Sequence, residues 1–319
     1  MFLKQAFRVS SPAGKRGRLS ILIFHRVLSV PDPLLPDLPD IQRFDQILAW
    51  LKDWFNVIPL GDAVARMKLG ELPERTAAIT FDDGYADNLV NATPVLKKHG
   101  LNATFFISTG FLDGGRMWND TIIEAVRGAE SSLINCEFLG LGQLEITTIE
   151  QKREALNHLL LAVKHLPSNQ REDATRQISE CSSSVLPNDL MLSCKQLIEL
   201  RDAGMDIGAH TVSHPILSSI DDKIAHREIS EGADYLRNLL GERIRVFAYP
   251  NGKFGRDYSD KHVEMVKALG FDAAVATNWG SSDSTSDLFQ LPRFTPWDTA
   301  RWRYGIRLLM NLRHELHQT

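Results

Sequence analysis

Three short stretches concentrate residue types that carry out hydrolytic chemistry. The first is TFDDGYADN, Thr80 to Asn88, in which Asp82 and Asp83 are adjacent and Gly84 follows at once. Two like charges at the end of an apolar run repel one another and resist desolvation, so a cation or a proton-transfer role is needed to offset that cost. The second is GAHTVSHP, Gly208 to Pro215, with His210 and His214 four residues apart. A helical turn after the preceding strand would set both imidazoles on one side. Two imidazoles and one carboxylate make an open divalent-metal site. Alone, such a pair is more often two satisfied polar residues; its weight comes from standing, like Asp82 and Asp83, where an apolar strand ends. The third is FAYPNG, Phe247 to Gly252, where Pro and Gly around Asn251 suit a turn that presents a backbone N–H to an oxyanion. Tyr249 belongs to the same stretch, and LPRFTPW adds Arg293 and Trp297; Asn251, Tyr249 and Trp297 are the candidate oxyanion or substrate residues, while Arg293 taken alone reads as an ordinary salt-bridge residue.

These residues need a scaffold that brings distant strand ends together. LSILIFHRV (Leu19–Val27) reads as a buried strand, followed by a Pro/Asp-rich loop and a helix over Ile41–Trp54. AAITFDD, NATFFIST, MDIGAHT, RVFAYPNG and FDAAVAT read as further strands, alternating with helical patterns that end in glycine, such as Ala86–Gly100. Strands that are apolar nearly throughout, separated by helices, indicate a parallel sheet covered by helices. About seven such units predict closure into an α/β barrel, whose strands all deliver their carboxyl ends to one mouth. Between about Leu112 and Leu190 the rhythm breaks into a mostly helical insertion, with Ile149–Leu166 its clearest amphipathic segment. Residues 1–18 are read as a flexible basic arm, with contact to a membrane surface as the alternative, and residues 301–319 as a C-terminal helix.

Composition narrows the function. A net charge of −4 over 319 residues gives no general attraction to nucleic acid or to an anionic membrane. The first twenty residues hold five Lys/Arg and no apolar run, which argues against a secretion signal or a membrane span. Three cysteines, Cys136, Cys181 and Cys194, are odd in number and form no CxxC pair. Reduced thiols in a cytoplasmic protein, at most peripheral at the inner membrane face, are therefore expected.

In their order and spacing, TFDDGYADN, HTVSHP and FAYPNG resemble the first three motifs of the polysaccharide deacetylases, carbohydrate esterase family 4. The resemblance covers about Leu19 to Trp297 apart from the insertion. It implies a distorted (β/α) barrel, usually of seven strands, and removal of N- or O-acetyl groups from carbohydrate with a divalent metal. That metal is most often zinc; cobalt, nickel and manganese are alternatives. By resemblance Asp83, His210 and His214 are the metal ligands, Asp82 the general base, and the backbone N–H of Asn251 an oxyanion donor. Two departures stand out. The family's arginine in the third motif is replaced by Ala248, and no late Leu-x-His supplies a general acid. Arg293 is the nearest substitute for orienting the base, and His25, at the end of the first strand, for the acid. The expected substrate is an N-acetylated sugar or glycolipid intermediate of surface-polysaccharide synthesis. A non-catalytic, metal-loaded carbohydrate-binding protein and a hydrolase of another non-peptide C–N bond are the alternatives.

Overall fold

The computed structural model describes residues 2–314. The chain forms two compact units, one of Met1–Val30, Pro39–Leu112 and Leu192–Thr319, the other of Pro31–Leu38 and Asp113–Met191. In the first, helix α1 (Phe2–Ser10) leads into strand β1 (Leu19–Phe24), then α2 (Ile41–Trp54), the two-residue β2 (Asn56–Val57) and α3 (Leu60–Leu69). β3 (Thr76–Phe81), α4 (Thr93–His99) and β4 (Thr104–Ile107) follow. The second unit holds α5 (Trp118–Gly128), the hairpin of β5 (Leu133–Asn135) and β6 (Gln143–Glu145), α6 (Ile149–Lys164) and α7 (Ser168–Ser182). The first unit resumes with α8 (Cys194–Asp202), β7 (Asp206–Ala209), α9 (Asp222–Leu240), β8 (Val246–Ala248), α10 (Asp260–Ala268), β9 (Ala273–Val275) and α11 (Arg301–Arg313).

The main sheet runs β1-β3-β4-β7-β8-β9, parallel throughout, with β2 added beside the start of β3. It curls into a distorted half-barrel. The open side is bridged by an irregular segment, residues 288–295. Leu291 donates to Ala274 of β9 and accepts from Ala276, and Phe294 donates to Ile21 of β1. The Thr295 hydroxyl both donates to and accepts from Ile23.

The period-two alternation of strands sorts the core into two layers. Ile21, Ala78, Phe106, Val246 and Val275 pack inside the curl. Leu22, Ile79, Phe105, Ile207 and Phe247 pack outward beneath the helices. Gly208 lies on the inner row, and a Cβ there would come within 2.5 Å of the Phe106 ring. At the amino ends of the strands is a cavity of about 400 Å³ lined by Asp62, Asp206 and Glu242 together with Arg201, Arg243 and Arg245. The second unit has its own core, including Ile122, Val126, Leu156, Leu159 and Ile178. Cys136 is buried there, and burial pushes its thiol up to about 11, so it is an inert core residue.

The expectation of a flexible arm over residues 1–18 is corrected by the fold. Phe7 of α1 is fully buried, its ring 4.5 Å from Phe55 and 5.9 Å from Trp54. Ser11 just beyond is also buried and bonds to Arg18. Charge at the surface concealed an apolar stripe, Leu3 and Phe7, long enough to dock one short helix. The C-terminal helix expected over 301–319 is observed over Arg301–Arg313; residues 315–319 lie outside those described. Among the described residues no helix is long and apolar enough to cross a membrane.

Candidate active site

The inner row of each strand, extended past its carboxyl end, places the candidate residues. Thr80 is on the inner row of β3, so Asp82 two residues later is too. Gly208 of β7 does the same for His210, and Ile21 and Ile23 of β1 do it for His25. Asp83 would point outward if the alternation continued. Its backbone instead turns into the left-handed region, φ 77°, and Gly84 follows at φ 92°. Gly84 is required there, since a Cβ would approach Ile107 to 3.2 Å in a conformation that side chains rarely adopt. Among the described residues seven non-glycine residues have positive φ, and Asp83, Thr211, His214 and Asn251 are four of them. Backbone strain is thus concentrated at one place, as it commonly is where side chains must be aimed.

The helical turn expected between His210 and His214 does not form. Residues 211–214 make a tight bend, with Thr211 at φ 67° and His214 at φ 54°. The bend still brings the two rings to 4.8 Å. It is held from α9: the Glu228 carboxylate accepts from the N–H groups of Val212 and Ser213 and from the Ser213 hydroxyl, at 2.7–2.9 Å. Gly232 lets that helix approach, because a Cβ there would meet the Thr211 backbone at 2.9 Å.

Asp83, His210 and His214 each offer one ligand atom, all within 4.8 Å of one another. His210 Nε2 and His214 Nε2 lie 3.6 and 3.5 Å from Asp83 Oδ1. These gaps are too long for hydrogen bonds. They match the ~3.4 Å that separates ligand atoms about 2.1 Å from a shared tetrahedral ion. Asp83 Oδ1 is buried without a hydrogen-bond partner, which a cation would satisfy. His210 Nδ1 is 2.7 Å from the Ala248 carbonyl and donates to it, leaving Nε2 with a free lone pair. The donor set therefore fits a divalent metal.

Electrostatics agree. The imidazoles around Asp83 outweigh the effect of burial and hold its carboxyl far below the usual range. Burial, aided by His210 and His25, pushes the His214 imidazole down to about 4, so it is neutral at ordinary pH. His210 is shifted up, because Asp82 and Asp83 overcome its burial.

Asp82 is arranged differently. Arg293 Nη1 and Nη2 donate to its two oxygens at 2.6 and 2.7 Å, and this pair outweighs burial to keep the carboxyl ionised. Arg293 is itself buried, with Nε bonded to the Ala276 carbonyl and Nη1 to Thr80 Oγ1. Asp82 Oδ2 lies 3.9 Å from His210 Nε2, so the carboxylate flanks the trio without joining it. The exposed His25 imidazole is close enough to act on the ionisation of Asp82, Asp83 and His214. At Asn251, φ is 58° and its carbonyl is tied to Thr277 Oγ1 at 2.6 Å. Its N–H has no hydrogen-bond acceptor among the described residues.

Two expected residues fall elsewhere. Tyr249 continues the outer row just past β8, fully buried and stacked 3.8 Å from Tyr258, with its N–H bonded to Val275, so its side chain is part of the core. Trp297 is exposed, 5.8 Å from Trp279, with Arg307 over its ring at 3.9 Å. Reading residue types alone missed the residues that steady the His25 loop. Asp87 pairs with Arg26 at 2.7 Å and accepts from the Val27 N–H, while Asn88 donates to the His25 carbonyl. Both belong to the first stretch, and its third aspartate was the available signal.

Comparison with known proteins agrees with this geometry. A model of the polysaccharide deacetylases matches residues 69–133 and 163–274, so the chain belongs to that family. The YxkH protein of Bacillus subtilis (strain 168), whose name also places it among polysaccharide deacetylases, is 21% identical over 281 residues, 88% of this chain and 71% of its own. The fold is shared with the Streptococcus pyogenes deacetylase PplD in complex with acetate, TM-score 0.61 at 21% identity, covering 92% of this chain and 98% of that one. It is shared also with IcaB from Ammonifex degensii, TM-score 0.58 at 18% identity, covering 95% and 99%.

Proposed function

We propose that the protein is a metal-dependent hydrolase that removes an N-acetyl, or O-acetyl, group from a carbohydrate or glycolipid intermediate of surface-polysaccharide synthesis. The observation that carries this reading is the trio Asp83, His210 and His214 beside a carboxylate, Asp82, that Arg293 keeps ionised. A divalent ion such as zinc, held by the trio, would supply a Lewis acid and lower the pKa of water.

The chain's own residues do the rest. Asp82 takes a proton from the attacking water as oxygen bonds to the acyl carbon. The Asn251 N–H receives the developing oxyanion. His25 gives a proton to the leaving nitrogen as the C–N bond breaks, so acetate and a free amine result. Arg293, buried and hydrogen-bonded to Ala276, Thr80 and both Asp82 oxygens, fills the orienting role that Ala248 cannot, which disfavours a purely binding protein.

The test is acetate release from a panel of N- and O-acetylated sugars by zinc-loaded protein, with free amine measured alongside. Acetate matched by free amine from the N-acetylated sugars, or acetate without amine from the O-acetylated ones, abolished by chelation, is the expected result. Metal-loaded protein that frees no acetate from any carbohydrate but cleaves other amides would overturn the reading.

A further inference from the structure

We propose that the paired terminal helices α1 and α11 form a docking face for an anionic phospholipid bilayer. This goes beyond the hydrolytic reading and does not depend on it. The two helices lie side by side and parallel. Leu3 is beside Gly305, where a Cβ would meet its Cδ1, and Ser10 is beside Arg313, whose Nε donates to its hydroxyl. On α11, Tyr304, Leu308 and Leu312 face the core, while Trp302, Ile306 and Met310, four residues apart, form a stripe that is 58%, 43% and 67% exposed. On α1, Phe2 and Val9, seven apart, are 84% and 71% exposed. Helical spacing sets both stripes on the outer surface along the line where the helices meet. Five large apolar side chains on one outer face are far more than scattered surface hydrophobics.

Charge selects the occupant. The two helices carry Lys4, Arg8, Arg301, Arg303, Arg307 and Arg313 and no acidic residue, in a chain whose net charge is −4. Three carboxylates reach them: Asp53 pairs with Lys4 and Arg301, Glu74 with Arg8, and Asp298 with Arg307. Six cations against three anions leave the face positive. Arg303 lies over the Trp302 ring at 5.1 Å, an arrangement in which an aromatic body enters the interface and the guanidinium stays with the headgroups. A second copy of the same face would bring like charges together, which argues against self-association.

The experiment is co-sedimentation of the full chain with vesicles of phosphatidylglycerol mixed into phosphatidylcholine, against pure phosphatidylcholine. Binding to the anionic vesicles alone, weakened by salt, is expected. Ile306→Ser/Met310→Ser and Arg303→Gln/Arg313→Gln should each weaken it by at least about tenfold. All four positions are exposed, so circular dichroism and acetate release from a soluble sugar should be unchanged. Absence of anionic-vesicle binding, variants that bind like the parent, or a dimer that Ile306→Ser/Met310→Ser dissolves would each overturn the proposal.

Discussion

Arg293 grips both oxygens of Asp82 from 211 residues further along the chain, at 2.6 and 2.7 Å. The pairing is buried and charge-assisted, so it fixes the carboxylate plane as well as its ionisation. Arg293→Lys keeps the charge and loses the fork. It should retain metal and lower kcat by about 10²-fold or more with little change in KM, since a misaimed base forfeits most of a base's worth. Arg293→Ala should cost about 3–5 kcal/mol of stability by leaving a buried carboxylate unpaired. Metal analysis, steady-state kinetics and urea melts check these outcomes; unchanged kcat in Arg293→Lys would remove the orienting role.

The proposed ligand and base roles are separable by substitution. His210→Ala or His214→Ala should strip the metal and the activity, while Asp82→Asn should hold the metal and reduce turnover by about 10²–10⁴. If Asp82→Asn lost the ion and Asp83→Asn kept it, the two roles would have to be exchanged.

Glu228 is not one of the proposed metal ligands, but three hydrogen bonds to it hold the bend between the histidines. Glu228→Ala should weaken zinc affinity by about 10–100-fold, as loss of an outer-shell partner does. Excess zinc should restore most of the activity. Titration against a chelator of known affinity measures the first effect, and a variant with parental affinity refutes it.

For His25 the informative contrast is between substrates. An amide leaves as an amine that must be protonated, whereas a nitrophenyl ester leaves without help. His25→Ala should lose most amide hydrolysis and much less ester hydrolysis. Equal losses, or none, would take His25 out of the mechanism.

Asp206 faces the cavity at the opposite end of the barrel. Burial, with Asp62 and Glu242 nearby, raises its pKa from 3.8 to about 6. Below about pH 4 it is protonated whether folded or unfolded and contributes little. Between 4 and 6 the unfolded chain releases its proton first, so stability falls with rising pH and the whole cost is present above 6. Asp206→Asn should therefore raise stability by roughly 1–2 kcal/mol at pH 8, allowing for partial exposure, and leave it unchanged at pH 4. Thermal melts at the two pH values decide it.

The sequence made the strand ends legible because apolar parallel strands stop abruptly at chemistry-bearing residues, as at Thr80–Asp83 and Gly208–His210. The parity of β8 was legible too: Ala248 inward places Tyr249 outward, yet position in a motif drew attention to it over alternation. The tight bend at Thr211–His214 was not readable, since spacing of four suits a helix as well as a bend, and the deciding contact comes from Glu228 on α9. Docking of α1 was hidden for a similar reason. Phe7 finds its partners, Trp54 and Phe55, only in the folded chain.

The segment 288–295 that bridges β9 to β1 also carries Arg293. A chain growing from its amino terminus thus has both carboxylates and both histidines long before it has the arginine that grips Asp82. Until about residue 295 has emerged, the barrel lacks its last staple and Asp82 its counter-charge. On the proposed mechanism catalytic competence arrives late in synthesis, with closure, and a truncation in this segment should yield protein that holds metal poorly and turns over nothing.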